Sequence, residues 1–310
     1  MFKLPKLPSP QADVHELADF AELLCWHRKL ASKREIVAYL GRVDDNDNNV
    51  GCNDDDDENS DFLDEVMNEI ERRVSACGIG YPFRLDLEGT VLRYNTDDSN
   101  ERSILYRYLL LSTRLNMKDS RVHEGIDGAL LFEEVCAHVL KNYLGSSRAK
   151  ALVFGTASAG SFHDKVKVLC DELREGSGYR NPDEVPSEDR DGKLDIVAWV
   201  PFSDCRAGQL IVFSQCKTGT TWEEQVANLN PDAFVRKWID GTIAVVPVRS
   251  FCVSEARDQS RWNSMSIDAG ILLDRCRLVD FCNNIDPTLL TKVSRWANAA
   301  KSHVVRELSW

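Results

Sequence analysis

Long apolar runs are missing from this 310-residue chain: no window approaches the roughly 18 consecutive apolar residues that a membrane span requires. The opening Met1-Phe2-Lys3-Leu4-Pro5 also lacks the apolar core of a secretory signal. There is no Cys-x-x-Cys pair, and several of the ten cysteines (Cys136, Cys170 and Cys252 among them) sit inside apolar runs. That scatter speaks against a disulfide scaffold and against a structural zinc site. The expectation is a soluble, cytoplasmic protein with reduced thiols and no membrane partner.

Basic charge is also scarce. The formal net charge is −12, which taken alone argues against a nucleic-acid partner. Ten of the acids, however, fall between Asp44 and Asp64 with no basic residue among them, leaving the rest of the chain at −2. The segment 281–310 is net positive, with Lys292, Arg295, Lys301 and Arg306 against Asp286 and Glu307. Any basic surface must therefore be local.

The acidic stretch begins like a calcium loop, Asp45-x-Asp47-x-Asn49, but Val50 stands where the turn needs glycine and Asp56 where a closing glutamate belongs. With little to bury and strong self-repulsion, 44–60 reads as an acidic linker or solvated loop.

What is present is enough apolar content, 43% hydrophobic residues, to bury a substantial core. Helical spacing of apolar residues predicts helices over 12–30 and 32–41, completing an N-terminal segment 1–43. An accessory region, 61–121, has a helix from Phe62 to Val74, a hairpin turning at Glu88-Gly89, and a helix from Ser99 through Leu111. Residues 1 to about 120 carry no recognisable chemistry.

From 122 the pattern alternates. A helix with the stripe Leu131, Phe132, Val135, Cys136, Val139, Leu140 precedes a strand, Lys150–Phe154, closed by Gly155. A helix from Phe162 to Leu173 and a polar loop, 174–192, follow. Leu194–Val200 and Gln209–Cys216 then read as neighbouring antiparallel strands, because so short a connection joins them. Helical stretches at 222–229 and 232–239, strands at Thr242–Val246 and Ile271–Leu273, and an amphipathic helix over 288–308 complete the pattern. The fold class is α/β, a central mixed sheet flanked by helices, over a core domain 122–285 with a C-terminal helix in 286–310.

Chemistry concentrates in this second part. Asp195 lies between Leu194 and Ile196 in a strand, where a carboxylate does nothing for packing. Gln215 and Lys217 share one face of the next strand because side chains two apart point the same way, and Cys216 points to the other. Glu133, or its neighbour Glu134, can add a second carboxylate from the first helix. Phosphodiester hydrolysis needs a hard cation to neutralise phosphoryl charge and to acidify water, and hard cations take oxygen ligands. Asp195, Glu133, the Gln215 amide oxygen and the Cys216 carbonyl form such a set, and Lys217 can orient the nucleophile or stabilise developing charge.

Three segments, Gly128-Ala-Leu-Leu-Phe132-Glu133, Leu194-Asp195-Ile196-Val197-Ala198-Trp199 and Gln209-Leu-Ile-Val-Phe-Ser-Gln215-Cys216-Lys217-Thr218-Gly219, resemble the helix acid, second-strand aspartate and third-strand signature of the PD-(D/E)XK nuclease superfamily. The stretch from Gln215 to Trp222 is similar to restriction-endonuclease-like proteins of bacterial defence systems. The resemblance covers about 122–280 and implies a restriction-endonuclease-like fold. It further implies a Mg²⁺-dependent DNA endonuclease (Mn²⁺ as substitute), acting in defence against foreign DNA, with Glu133, Asp195, Gln215 and Lys217 at the site positions. A homodimer, or a partner ATPase, helicase or sensor subunit, fits the same resemblance. Two departures stand out: no proline precedes Asp195, and the signature acid is Gln215. The second makes a catalytically weak DNA-binding or assembly subunit a real alternative. A cysteine nucleophile at Cys216 with Gln215 as oxyanion donor is a third reading. Gln225, His138 and His163 read as surface or helix-face residues. Residues 122–280 carry −6, so phosphate contacts would have to come from a patch among Arg148, Lys150, Lys165, Lys167, Arg206, Arg236, Lys237, Arg249, Arg257 and Arg261.

Overall fold

The computed structural model describes residues 1–45, 58–86, 88–95, 99–180 and 192–307. Most of the expected acidic linker 44–60, and most of the polar loop 174–192, lies outside the described residues.

The N-terminal part holds α1 (Val14–Arg28), β1 (Leu30–Ser32), α2 (Lys33–Asp45), α3 (Glu58–Cys77), β2 (Phe83–Leu85), β3 (Val91–Tyr94) and α4 (Glu101–Arg114). The hairpin expected at Glu88-Gly89 joins β2 to β3, and β1 adds to its other edge to make a three-stranded antiparallel sheet. Asn100 caps α4 by accepting from the Arg102 and Ser103 amides, which satisfies two otherwise unpaired donors.

A two-residue ladder, β4 (Val122–His123) with β5 (Ile126–Asp127), leads into α5 (Gly128–Tyr143), whose first turn is capped by the Asp127 side chain. Then come β6 (Lys150–Val153), α6 (Phe162–Leu173), β7 (Gly178–Tyr179), β8 (Ile196–Val200), β9 (Leu210–Lys217), α7 (Pro231–Trp238) and β10 (Ile239–Asp240). The chain ends with β11 (Val248–Val253), α8 (Trp262–Ala269), β12 (Ile271–Leu273), α9 (Arg275–Asp280) and α10 (Pro287–Glu307).

The main sheet is five-stranded and mixed, in the order β12-β11-β9-β8-β6. β6, β8 and β9 pair antiparallel, while β9, β11 and β12 pair parallel. The short connection 201–209 permits only the antiparallel neighbour, whereas the long crossover containing α7 returns the chain for a parallel one. β8 and β9 are buried along almost their whole length, which explains why their sequences are continuous apolar runs.

Each face of the sheet has its own core. On one, Ile196, Ala198, Val212, Cys216 and Cys252 join Leu131, Phe132, Val135 and Val139 of α5 in a cluster that runs from Phe2 to Ala300. On the other, Val197, Trp199, Ile211 and Phe213 pack against Val166 and Leu169 of α6 and Phe234 and Trp238 of α7. A third cluster places Trp222 against Phe251 and Val253.

Two expectations are corrected. Thr242–Val246 is not a strand: Val245 and Val246 are 44% and 63% exposed, and the strand begins at Val248. Gly241 and Pro247 bracket the apolar stretch, and a proline cannot donate to a ladder, so pairing with β9 starts just after it. The helix expected over 222–229 is one 3₁₀ turn, Glu223–Gln225. α8 and α9 were not anticipated, because their short apolar pattern is below what periodicity resolves.

The N-terminal part is joined to the sheet by buried charges, side chains to which the sequence alone assigns no role. Asp19 accepts from Arg73 at 2.6 Å, Arg114 at 2.7 Å and Arg275 at 2.8 and 2.9 Å, and all four side chains are fully buried. Glu22 accepts from Arg73, Tyr81 and Tyr106 at 2.8 Å each. Glu255, just beyond β11, accepts from Arg114 at 3.2 Å and from the Trp222 indole at 2.8 Å, and faces His15 at 3.6 Å.

Among the described residues no helix is long and apolar enough to cross a membrane. Their nine cysteines are all free thiols.

Candidate functional site

The end of the sheet where β6 leaves, β8 enters and β9 leaves brings the expected residues together. Register sets the meeting point. Ile196 pairs with Val153 and with Ser214, so Asp195, one residue earlier, falls beside both Phe154 and Gln215. The Asp195 backbone extends the pairing: its amide donates to the Ser214 carbonyl at 3.0 Å, and its carbonyl accepts from Phe154 and Gly155 at 2.7 and 2.9 Å.

The Asp195 carboxylate is held by the neighbouring strand, with Oδ2 accepting the Cys216 amide at 2.7 Å. Oδ1 turns toward Gly155, and so does Oε2 of Glu133. A methyl group built on Gly155 would lie 2.6 Å from Glu133 Oε2 and 2.9 Å from Asp195 Oδ1, closer than real contacts allow. Two carboxylates thus converge on one residue with no side chain, and only glycine leaves them room. Glu133 is largely buried in the first half of α5 and is oriented by the Thr156 hydroxyl at 2.9 Å and the Ala157 amide at 3.0 Å. Glu134 is paired with Lys292 of α10 at 2.8 Å, so of the two neighbours it is Glu133 that turns to Gly155.

Gln215 is 1% exposed, and its Oε1 has no hydrogen-bond partner. A buried acceptor left unmatched costs roughly 1–3 kcal/mol. Lys217, half-exposed, ends β9; alternation puts it on the face of Gln215, and its carbonyl accepts from the Ser254 amide at 3.3 Å. Cys216 meets the site through its amide. Its thiol lies in the α5-side core, where burial pushes its pKa well above the ordinary thiol value, which is poor preparation for a nucleophile.

The donor set fits a hard divalent cation: two carboxylates, one unpartnered amide oxygen, no imidazole and no thiol. His138 is held by the Asn283 carbonyl at 3.0 Å, and His163 sits exposed beside Asp164. Gln225 is half-exposed in the 3₁₀ turn.

Several of the candidate basic residues are engaged by carboxylates. Arg257 is buried against His15 and Glu223, while Lys150, Arg206, Arg236 and Arg261 each pair with a nearby carboxylate. Lys165 of α6 does reach the site, donating to the Gly155 carbonyl at 2.7 Å. Sequence reasoning missed Gly155 and Thr156 as site residues and offered Lys165 only as one member of a basic patch; the one signal for Gly155 was a glycine directly after a strand.

Comparison with protein families, curated proteins and solved structures finds no match to this chain.

Proposed function

We propose that the chain is a metal-dependent nuclease that hydrolyses phosphodiester bonds of DNA, with Asp195, Glu133 and Gln215 holding a Mg²⁺ or Mn²⁺ ion and Lys217 beside them. The observation that carries the reading is the buried Gln215 amide oxygen without a partner, on the residue that the β8–β9 register sets beside Asp195, whose carboxylate converges with that of Glu133 on Gly155. Such an oxygen is costly in the empty protein and is satisfied by a cation.

The strand order lends support. A helix, three antiparallel strands and a fourth strand parallel to the third make a mixed sheet that is compatible with the restriction-endonuclease-like core the sequence resemblance implies. The segments noted in the sequence lie on one helix and two paired strands: Glu133 on α5, Asp195 just before β8, Gln215 and Lys217 at the end of β9.

When bound, the cation supplies charge neutralisation of the phosphoryl group and acidification of an attacking water. The chain does the rest. Thr156 and the Ala157 amide fix Glu133, the Cys216 amide fixes Asp195, and the register of β8 on β9 fixes their separation from Gln215. Lys217, free of any ion pair in the described residues, orients the water or stabilises charge on the phosphate. The same resemblance points to action against foreign DNA.

The test is incubation of purified protein with plasmid and linear DNA in Mg²⁺, Mn²⁺ or EDTA. Wild type should cut in either metal and stop in EDTA. Asp195→Asn keeps an acceptor for the Cys216 amide while removing the charge, so it should fold and not cut; Lys217→Ala should behave likewise. DNA binding without turnover by the wild type would favour a catalytically inactive binding subunit instead.

A further inference from the structure

On the face of the sheet covered by α5, three thiols from three elements converge: Cys136 of α5, Cys216 of β9 and Cys252 of β11. Their sulfur atoms all lie within 4.8 Å of one another. Cys216 and Cys252 are direct partners in the parallel β9–β11 ladder, and Cys136 comes down on them from the helix. All three are buried, and the surrounding core is Val, Ile, Ala and Leu. The Ser214 hydroxyl lies 3.4 Å from the Cys252 sulfur and 3.3 Å from the Ser250 hydroxyl.

Buried cysteines often serve only as small apolar side chains, but that role needs no convergence. Valine or alanine would fill one such position as well, and nothing in packing brings three sulfurs to one point. A ring of three sulfurs at this spacing is what a thiophilic cation with a filled d shell takes up, and thiolates select this class over hard ions. We propose that Cys136, Cys216 and Cys252 form a site for one such cation, either Cu⁺ held by the three sulfurs alone or Zn²⁺ completed by the Ser214 hydroxyl. Each cysteine that binds loses its S–H proton to the buffer. The bound ion would tie α5, β9 and β11 together directly behind the residues they carry: Glu133 is one helical turn before Cys136, and Gln215 and Lys217 flank Cys216. The inference is independent of the nuclease reading, since it uses different ligand atoms, three sulfurs in the α5-side core, and a different class of metal.

The test uses the full chain, purified under reducing conditions from medium supplemented with Zn²⁺ or with Cu²⁺, which the expressing cells reduce to Cu⁺, with elemental analysis of the protein. A parallel Cd²⁺ titration is read by thiolate-to-metal charge-transfer absorption in the ultraviolet. One equivalent of metal per chain and a saturating one-equivalent Cd²⁺ band are expected. Cys252→Ala and Cys136→Ala should lose the band and weaken binding by at least the roughly 10- to 100-fold that even outer-shell changes cost. Cys252→Ser, closer in size, serves if an alanine variant fails to fold. The arm that retains its metal tells Zn²⁺ from Cu⁺. A reduced, folded wild type that takes up neither ion and shows no Cd²⁺ band overturns the site, as does equal binding by the Cys252 variants. Asp195→Asn should leave the thiol-bound metal in place, so failure here and failure of the carboxylate site are separately visible.

Discussion

The molecule treats buried polarity in two opposite ways. At the junction of the N-terminal helices with the sheet, Asp19, Glu22 and Glu255 face Arg73, Arg114 and Arg275, and each charged group has several partners of the opposite sign. At the end of β9 the balance is reversed: two carboxylates converge on Gly155 and the Gln215 amide oxygen has no partner at all. The first arrangement is complete in the protein alone. At the second the Gln215 oxygen stays unmatched, and on the proposed reading a cation would match it.

Breaking the junction should give the largest effect. Asp19→Asn removes the one carboxylate shared by three buried guanidinium groups, and removing one partner of a buried ion pair costs about 3–5 kcal/mol. Urea unfolding followed by circular dichroism should show a loss of that size; an unchanged midpoint would mean that the junction does not hold the two parts together.

At the site, Gly155→Ala should act on function more than on stability. Its methyl group must displace Glu133 or Asp195. Overpacking of this kind costs about 1–3 kcal/mol, while DNA cleavage should fall by far more than that loss of folded protein explains. Cleavage assays at a temperature where the variant is fully folded check this.

The smallest effect is on pH. Burial alone would raise the pKa of Asp19, but Arg275, Arg114 and Arg73 outweigh it and hold the group well below the ordinary range. Glu255 is lowered in the same way, against burial, by His15 and Arg114. Both contribute stability that is present above the unfolded carboxylate value of about 4 and is lost as pH falls through their lower folded values. His15 has the opposite sign. Burial disfavours its charge, yet hydrogen bonds to Asp258 and Glu255 win and raise its pKa. Its contribution is full below about pH 6.5 and is lost as pH rises through the higher folded value. Melting temperature against pH should therefore decline on both sides, and His15→Gln should flatten the alkaline decline and, because His15 also holds Glu255 low, weaken the acid one in part while Asp19 keeps the remainder.

These two regions were unequally legible in the sequence. Glu133, Asp195, Gln215 and Lys217 could be singled out because polar side chains inside apolar strand and helix patterns have no packing role, and because alternation along β9 fixes which of them share a face. The choice between Glu133 and Glu134 needed the structure, since both lie on neighbouring positions of one helix and only the Lys292 contact separates them. Gly155 and Lys165 depend on how the turn after β6 approaches α5 and α6, which no local pattern encodes. The junction was invisible for a different reason. Asp19 and Glu22 sit on α1 among apolar residues, where acids ordinarily mark a solvated face, and their arginine partners are 51 to 256 residues away. The strand misplaced at Thr242–Val246 shows the same limit: an apolar run was visible, but the partner strand that decides where pairing begins was not.

The central claim, that Gln215 is kept unpartnered in order to bind a cation, is tested most directly by Gln215→Leu, comparing unfolding stability without metal and Mn²⁺ affinity by calorimetry. Leucine removes an unmatched buried acceptor, so the metal-free variant should be at least as stable as wild type and more stable by up to about 1–3 kcal/mol. It should at the same time lose Mn²⁺ binding and DNA cleavage, whereas Gln215→Glu should bind Mn²⁺ more tightly than wild type and retain cleavage. A Gln215→Leu variant that binds Mn²⁺ and cuts DNA like wild type would contradict the account and leave the site to Asp195 and Glu133 alone.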